Sequence, residues 1–221
     1  MRIERRSKIR QSGAALLLMM LVVIVGAATI LVTKLGSNLL RATESAKTQM
    51  ALSTARDALL DFAVSFPDAT PGAPVQLPCP DIDNTGSTLD GESHTLNCGA
   101  AGETVIGRLP WRTLGIPAQS DGAGECLWYA VSGEYKSANT ISSMINPDSN
   151  GQLQLVQSES TQIIEGGTAD DRAVAIVFAP RRAMQGQTRQ AVSQPGQQCS
   201  DDFLASAFLD SDAGTGVSNS F

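Results

Sequence analysis

The stretch DIDNTGSTLDGE, residues 81–92, puts Asp81 and Asp83 at its first and third positions. Thr85 follows at the fifth, Gly86 at the sixth and Glu92 at the twelfth. Calcium takes about six to eight oxygen ligands, and a twelve-residue loop with acids at these places and glycine at the sharp turn is one way to supply them. The spacing therefore suggests a calcium site built from Asp81, Asp83, Thr85 and Glu92. Two features count against it. Pro78 and Pro80 preclude an ordinary helix entering the loop, and threonine is a weaker ligand than aspartate at the fifth place. The competing reading is a polar turn closed between Cys79 and Cys98.

Other chemistry is sparse. His94 is the sole histidine and sits among polar residues, where an exposed loop is its expected place. No serine lies in a GxSxG turn, and no glycine-rich phosphate loop is present. Without a nucleophile, a base and an orienting group in view, catalysis is not expected. No two of the four cysteines, Cys79, Cys98, Cys126 and Cys199, are spaced as CxxC, which disfavours zinc. An even number of cysteines after a long apolar run suggests disulfides in an oxidising compartment. Four cysteines allow three pairings. Cys79 with Cys98 is favoured because the two bracket one polar loop, which leaves Cys126 with Cys199. In the chain-entropy model the shorter loop contributes about 3 kcal/mol and the longer about 4.5 kcal/mol.

The elements that must position these residues begin with the apolar run. The 221-residue chain has a net charge of −6, but its first ten residues carry five basic side chains against Glu4. The remainder is therefore strongly acidic, which excludes nucleic acid as an expected partner. No charge occurs between Arg10 and Lys34, long enough to cross about 30 Å of hydrocarbon. The basic flank predicts a cytoplasmic N-terminus and a body on the other side. A cleaved secretory signal is the rival, with VGAAT (residues 25–29) as its small-residue site, but TILV continues the apolar pattern beyond that cut. Beyond Lys34, Leu35, Leu39, Ala42, Ala46, Met50, Leu52, Ala55, Leu59 and Phe62 recur in steps that trace one helical face. Arg41, Glu44, Lys47, Arg56, Asp57 and Asp61 mark the other side, and Pro67 is expected to end the helix.

The rest of the chain reads as strands and tight loops. CLWYAVS (126–132) is aromatic and branched, between Gly124 and Gly133. AVAIVFA (173–179) is continuously apolar, as expected of a central strand, and LQLVQ (153–157) alternates, as expected of a half-buried one. A short helix is expected over residues 201–209 behind Ser200. Trp111 and Trp128 are read as core anchors rather than a ligand platform. Arg181, Arg182 and Arg189 are read as a solvated loop, with pairing to an acidic neighbour as the alternative. The tail DSDAGTGVSNSF carries no helix or strand signal. The fold class is α+β: a long N-terminal helix, apolar then amphipathic, packed on a small antiparallel sheet domain. Its divisions are a basic leader over 1–13, a membrane helix over 14–33, an amphipathic soluble helix over 34–66 and a disulfide-stapled β-rich body over 67–221.

A short basic leader, then Gly13, Ala14, the long apolar run and the amphipathic continuation resemble the N-terminus of type IV pilins and type II secretion pseudopilins. The blocks LPCPDIDNTG, GRLPWRTLGIP, CLWYAVSGEY and AIVFAP extend the resemblance over most of the body, to pilin-like proteins of Gram-negative bacteria. It implies cleavage by a prepilin peptidase between Gly13 and Ala14, with Ala14 becoming the N-methylated first residue. It also implies an inner-membrane protein whose body is periplasmic until assembly. The implied partners are other pilin or pseudopilin subunits, the inner-membrane assembly platform, the peptidase and membrane lipid. One departure is clear. The family usually has glutamate at the fifth mature position, and here Leu18 stands there. A buried carboxylate costs about 2.5–3.5 kcal/mol in hydrocarbon and is kept for a partner, so its absence suggests a minor, tip-located or priming subunit. The alternative from another class is a membrane-anchored periplasmic enzyme or binding domain without a recognisable active site.

Overall fold

The computed structural model describes residues 12–69, 75–82, 90–93, 98–100, 102–137, 145–146, 148–156, 162–189, 199 and 205–208. It contains one long helix, α1 (Ser12–Ala69), and a small antiparallel sheet, so the α+β class holds. The chain divides into two compact units, residues 1–43 and residues 44–221.

In the first unit, the described side chains are those of α1 up to Thr29 and from Leu40 onward. Every side chain from 16 to 25 is at least 54 % exposed. Hydroxyls inside this apolar stretch are satisfied locally: Thr29 Oγ1 donates to the Gly26 carbonyl at 2.8 Å. Among the described residues, no helix is long and apolar enough to cross a membrane. The side chains of 30–39, which include the last four residues of the uncharged run, lie outside them.

The second unit is built on the later part of α1. Its buried face is Thr48, Ala51, Ala55, Ala58, Leu59 and Ala63. The expected face holds from Leu52 onward, with Ala55 and Leu59 buried and Leu52 and Phe62 half-buried, but Ala42, Ala46 and Met50 are exposed. The reason is packing distance. A stripe of alanines lets the helix backbone approach the sheet closely, whereas Met50 would hold it off. Pro67 does not stop the helix, which runs on to Ala69. In the last turn proline forfeits only its own bond to the Ala63 carbonyl, and little helix remains to be disrupted.

Strands β1 (Val105–Arg108), β2 (Trp128–Val131) and β5 (Ala175–Phe178) form the sheet, with β2 between the others and both pairings antiparallel. All four β2 residues are buried because the strand is covered on both sides. Tyr129 and Val131 join Leu77, Leu109, Leu127 and the α1 stripe in the main core. Alternation sends Trp128 to the opposite face, where its ring stacks on Phe178 (6.3 Å between centroids) and tilts against Phe208 (5.1 Å). The half-exposed Trp111 is packed instead over Gly91.

Three strand and helix expectations are corrected. The continuously apolar 173–179 segment was expected at the centre, but β5 pairs only with β2 among the described strands and is half-buried throughout. Apolar continuity does not tell which strand lies beneath the helix. In the 153–157 stretch Leu153 is half-buried and bridges to Ala173, but β3 (Leu155–Val156) pairs with β4 (Ile163–Glu165) in a separate ribbon whose five residues are exposed; residue 157 lies outside the described residues. Residues 205–208 hold a 3-10 turn at Ala205–Ala207 rather than α-helix, and the expected cap, Ser200 with Asp201 and Asp202, lies outside the described residues.

Candidate functional site

Cys79 is bonded to Cys98, and Cys126 to Cys199, with Cα separations of 5.9 and 5.6 Å. This is the pairing favoured from the bracketed loop. Cys79 and Cys98 are buried with Val105 in a small cluster of their own.

Asp81 lies at the start of the expected calcium loop and is buried. Its backbone bridges to Arg108: its N–H donates to the Arg108 carbonyl at 3.0 Å, and Arg108 N–H donates back at 2.7 Å. Its Oδ2 accepts the Gly91 N–H at 2.7 Å. The far end of the loop is clamped to residues 111–113, where Arg112 and Thr113 N–H both donate to the Gly91 carbonyl. Thr113 Oγ1 accepts the Ser93 N–H at 2.7 Å. Gly91 has φ +78, and a Cβ there would overlap the Trp111 indole, so both conformation and contact demand glycine. Glu92 is half-buried, while Asp83 and Thr85 lie outside the described residues, as does His94. Among the described residues no group of three or more metal-ligating side chains comes together. Calcium held at this loop at about a hundred times its dissociation constant would stabilise the fold by about 2.7 kcal/mol. A melting-temperature titration to millimolar calcium checks this reading: a rise of several degrees supports it, and an unchanged midpoint removes it.

Three buried charged groups, not anticipated from the sequence, hold the body's loops. Lys136 is fully buried, and its Nζ donates to the carbonyls of Cys98, Ala100 (2.9 Å) and Glu103 (2.8 Å). Burial lowers its pKa from the ordinary lysine value, and the Glu103 carboxylate acts in the opposite direction. Asp121 is fully buried as well. Its Oδ1 accepts the N–H groups of Ala123 (2.8 Å) and Glu125 (3.0 Å), and its Oδ2 accepts that of Arg181 (2.7 Å). Arg108 lays its guanidinium over Trp128 (4.7 Å) and Phe208 (4.2 Å), and its NH1 donates to the Cys126 carbonyl at 3.2 Å. Tyr129, whose hydroxyl donates to the Pro78 carbonyl at 3.2 Å, has its pKa raised well above the ordinary value by burial.

The arginines read as a solvated loop are largely engaged within the chain. Arg182 pairs with Glu44 of α1. Arg189, with a side chain only 7 % exposed, pairs with Glu125 at 3.2 Å and donates from Nε to the Ala207 carbonyl at 3.1 Å. Arg181 takes a positive φ of 57° where its N–H meets Asp121. Nearby, the Gly122 N–H donates to Thr48 Oγ1 at 2.9 Å. A Cβ on Gly122 would overlap the Glu44 backbone, so this glycine seats the 120–122 loop on the helix.

These contacts build scaffold; they converge on no described nucleophile or base. The exposed large apolar residues include 16–25 on α1, and Leu155, Val156, Ile163 and Ile164 on the β3–β4 ribbon. Ser12, Gly13 and Ala14 form the first residues of α1, and their side chains lie outside the described set. Comparison with known proteins returns nothing: no protein-family model, curated protein or solved structure matches the chain.

Proposed function

We propose that this chain is a minor pilin or pseudopilin: a non-catalytic subunit of a type IV pilus or a type II secretion pseudopilus, placed at the tip or acting in priming. The observation that carries the reading is the N-terminal part of α1. Ten successive side chains, 16–25, are exposed aliphatic or methionine residues on a helix without charge from Ser12 to Thr33. Such a surface is stable in water only when covered, by lipid or by like helices. The basic leader sets its cytoplasmic end. The disulfide-stapled body suits a periplasmic location. On this reading the peptidase cuts between Gly13 and Ala14, and Ala14 is methylated. The apolar helix first lies in the inner membrane and then packs among other subunits. Leu18 in place of the usual glutamate removes the charge pair a repeated subunit would make, which supports a specialised position.

The test is the mature N-terminus of protein isolated from its native host. A start at Ala14, with one added methyl group in the intact mass, is expected. A start at Met1 would leave a simple anchor, and a start near Thr29 would make the body a secreted domain; either outcome overturns the reading.

A further inference from the structure

The two disulfides differ in what they hold and in how they are reached. Cys79 and Cys98 are 0 % and 2 % exposed and close a loop of sequence separation 19. Cys126 is only half-buried, and its bond to Cys199 spans a separation of 73. That second bond stands beside the far face of β2, where Cys126 is joined through Leu127 to Trp128. There Phe208 lies against Trp128 with its ring between two guanidiniums, Arg108 at 4.2 Å and Arg189 at 4.6 Å. Arg189 also holds the Ala207 carbonyl. Among the described residues, the Ala205–Phe208 turn is thus held by the Phe208 ring against Trp128 and by the contacts of two arginines. The opposite face of β2 is sealed by α1, with no cysteine involved.

We propose that the Cys126–Cys199 bond is a redox latch that keeps Phe208 over the far face of β2, and that a dithiol reductant opens it while Cys79–Cys98 stays closed. The chemistry balances by ordinary exchange. A thiolate of the reductant attacks the Sγ of Cys126, the less buried of the two residues, and Cys199 leaves as thiolate and takes a proton. The reductant's second thiol then displaces Cys126, so two electrons pass to the protein and the reductant departs as its own disulfide. Opening removes the covalent restraint on the Phe208 turn and uncovers Trp128 and the Arg108 guanidinium. The main core, held by α1 and the β1–β2–β5 pairing, persists. The latch does not depend on the filament reading.

The test uses the full chain in detergent with dithiothreitol as the dithiol. Samples are alkylated at intervals, and the modified cysteines are located by mass spectrometry. In parallel, hydroxyl-radical footprinting reads Trp128, Phe208, Tyr129 and Leu59 separately. Cys126 and Cys199 are expected to become alkylated at least tenfold sooner than Cys79 and Cys98. In that interval oxidation of Trp128 and Phe208 rises several-fold, with Tyr129 and Leu59 unchanged. The latch is overturned if all four cysteines open together or Cys79–Cys98 opens first. It is equally overturned if opening leaves Trp128 and Phe208 protected, or exposes Tyr129 and Leu59 as well.

Discussion

Lys136→Met is expected to destabilise the body by about 3 kcal/mol, a loss large enough to lower the melting temperature by about 10 °C. The side chain is fully buried, and its three donors meet the carbonyls of Cys98, Ala100 and Glu103. Methionine keeps the length of the stem but returns no donor, leaving buried acceptors without the cation that holds them. The loss concentrates on the 98–103 loop and on β1, which begins two residues later at Val105. The pH dependence carries a second signature. Because burial lowers the folded-state pKa below the ordinary lysine value of 10.5, the unfolded chain holds its proton longer as pH rises. Lys136 therefore contributes a stability that is level below its folded pKa and increases with pH up to the unfolded value. The difference in stability between wild type and Lys136→Met should widen over that alkaline window, since methionine does not titrate. Thermal melts at neutral pH and at rising pH measure both effects. A neutral-pH midpoint within a degree or two of wild type would show that the carbonyl cage is dispensable.

Lys136 also illustrates what the sequence concealed. Periodicity exposes a residue's own class but not its partner, and the partners of Lys136 and Arg108, like the Arg181 N–H on Asp121, are backbone groups and rings brought from distant segments. A lysine after an aromatic strand reads as solvated, because nothing in its neighbours announces three carbonyls from residues 98–103. The helix was legible for the opposite reason: a long stretch without proline and with steps of three and four is a local signal. Its buried face was less so, since alanine suits solvent and core alike, and only the close approach of the sheet selects Ala51, Ala55 and Ala63 over Met50. Strand β1 escaped notice because VIGR is short and contains Gly107. That glycine is not a breaker. A Cβ there would overlap the Asp81 carbonyl and the Pro80 ring, so it marks where one backbone crosses another. Trp128 was recognisable as a core anchor from its flanking apolar residues. That Phe208 would reach its ring was not, because the contact is made across some eighty residues.

Gly13→Val is expected to leave the chain unprocessed, with the mass of the full precursor and no methylation, while the body stays folded. The scissile bond of the proposed cleavage follows Gly13, and Ser12, Gly13 and Ala14 begin α1. A peptidase needs its substrate backbone extended at the cut, and a helix hides it. Glycine weakens that first turn by about 1 kcal/mol relative to alanine, which eases local unwinding, and it presents no Cβ to the enzyme. Valine adds a branched side chain at the residue before the cut and stiffens it. Gly13→Ala is expected to fall between the two, processed slowly rather than not at all. The body is a sound internal control, because residues 44–221 form a unit of their own and hold both disulfides. Intact mass of each variant from the native host reads processing, and non-reducing mass mapping of the cysteines reads the fold. A Val variant processed as fully as wild type, with its disulfides in place, would remove the glycine-directed cut. The apolar helix would then be an anchor alone. If the Val variant stays unprocessed with an intact body, the defect belongs to the first turn of α1, and loss of assembly in the same cells would follow from the retained basic leader rather than from misfolding.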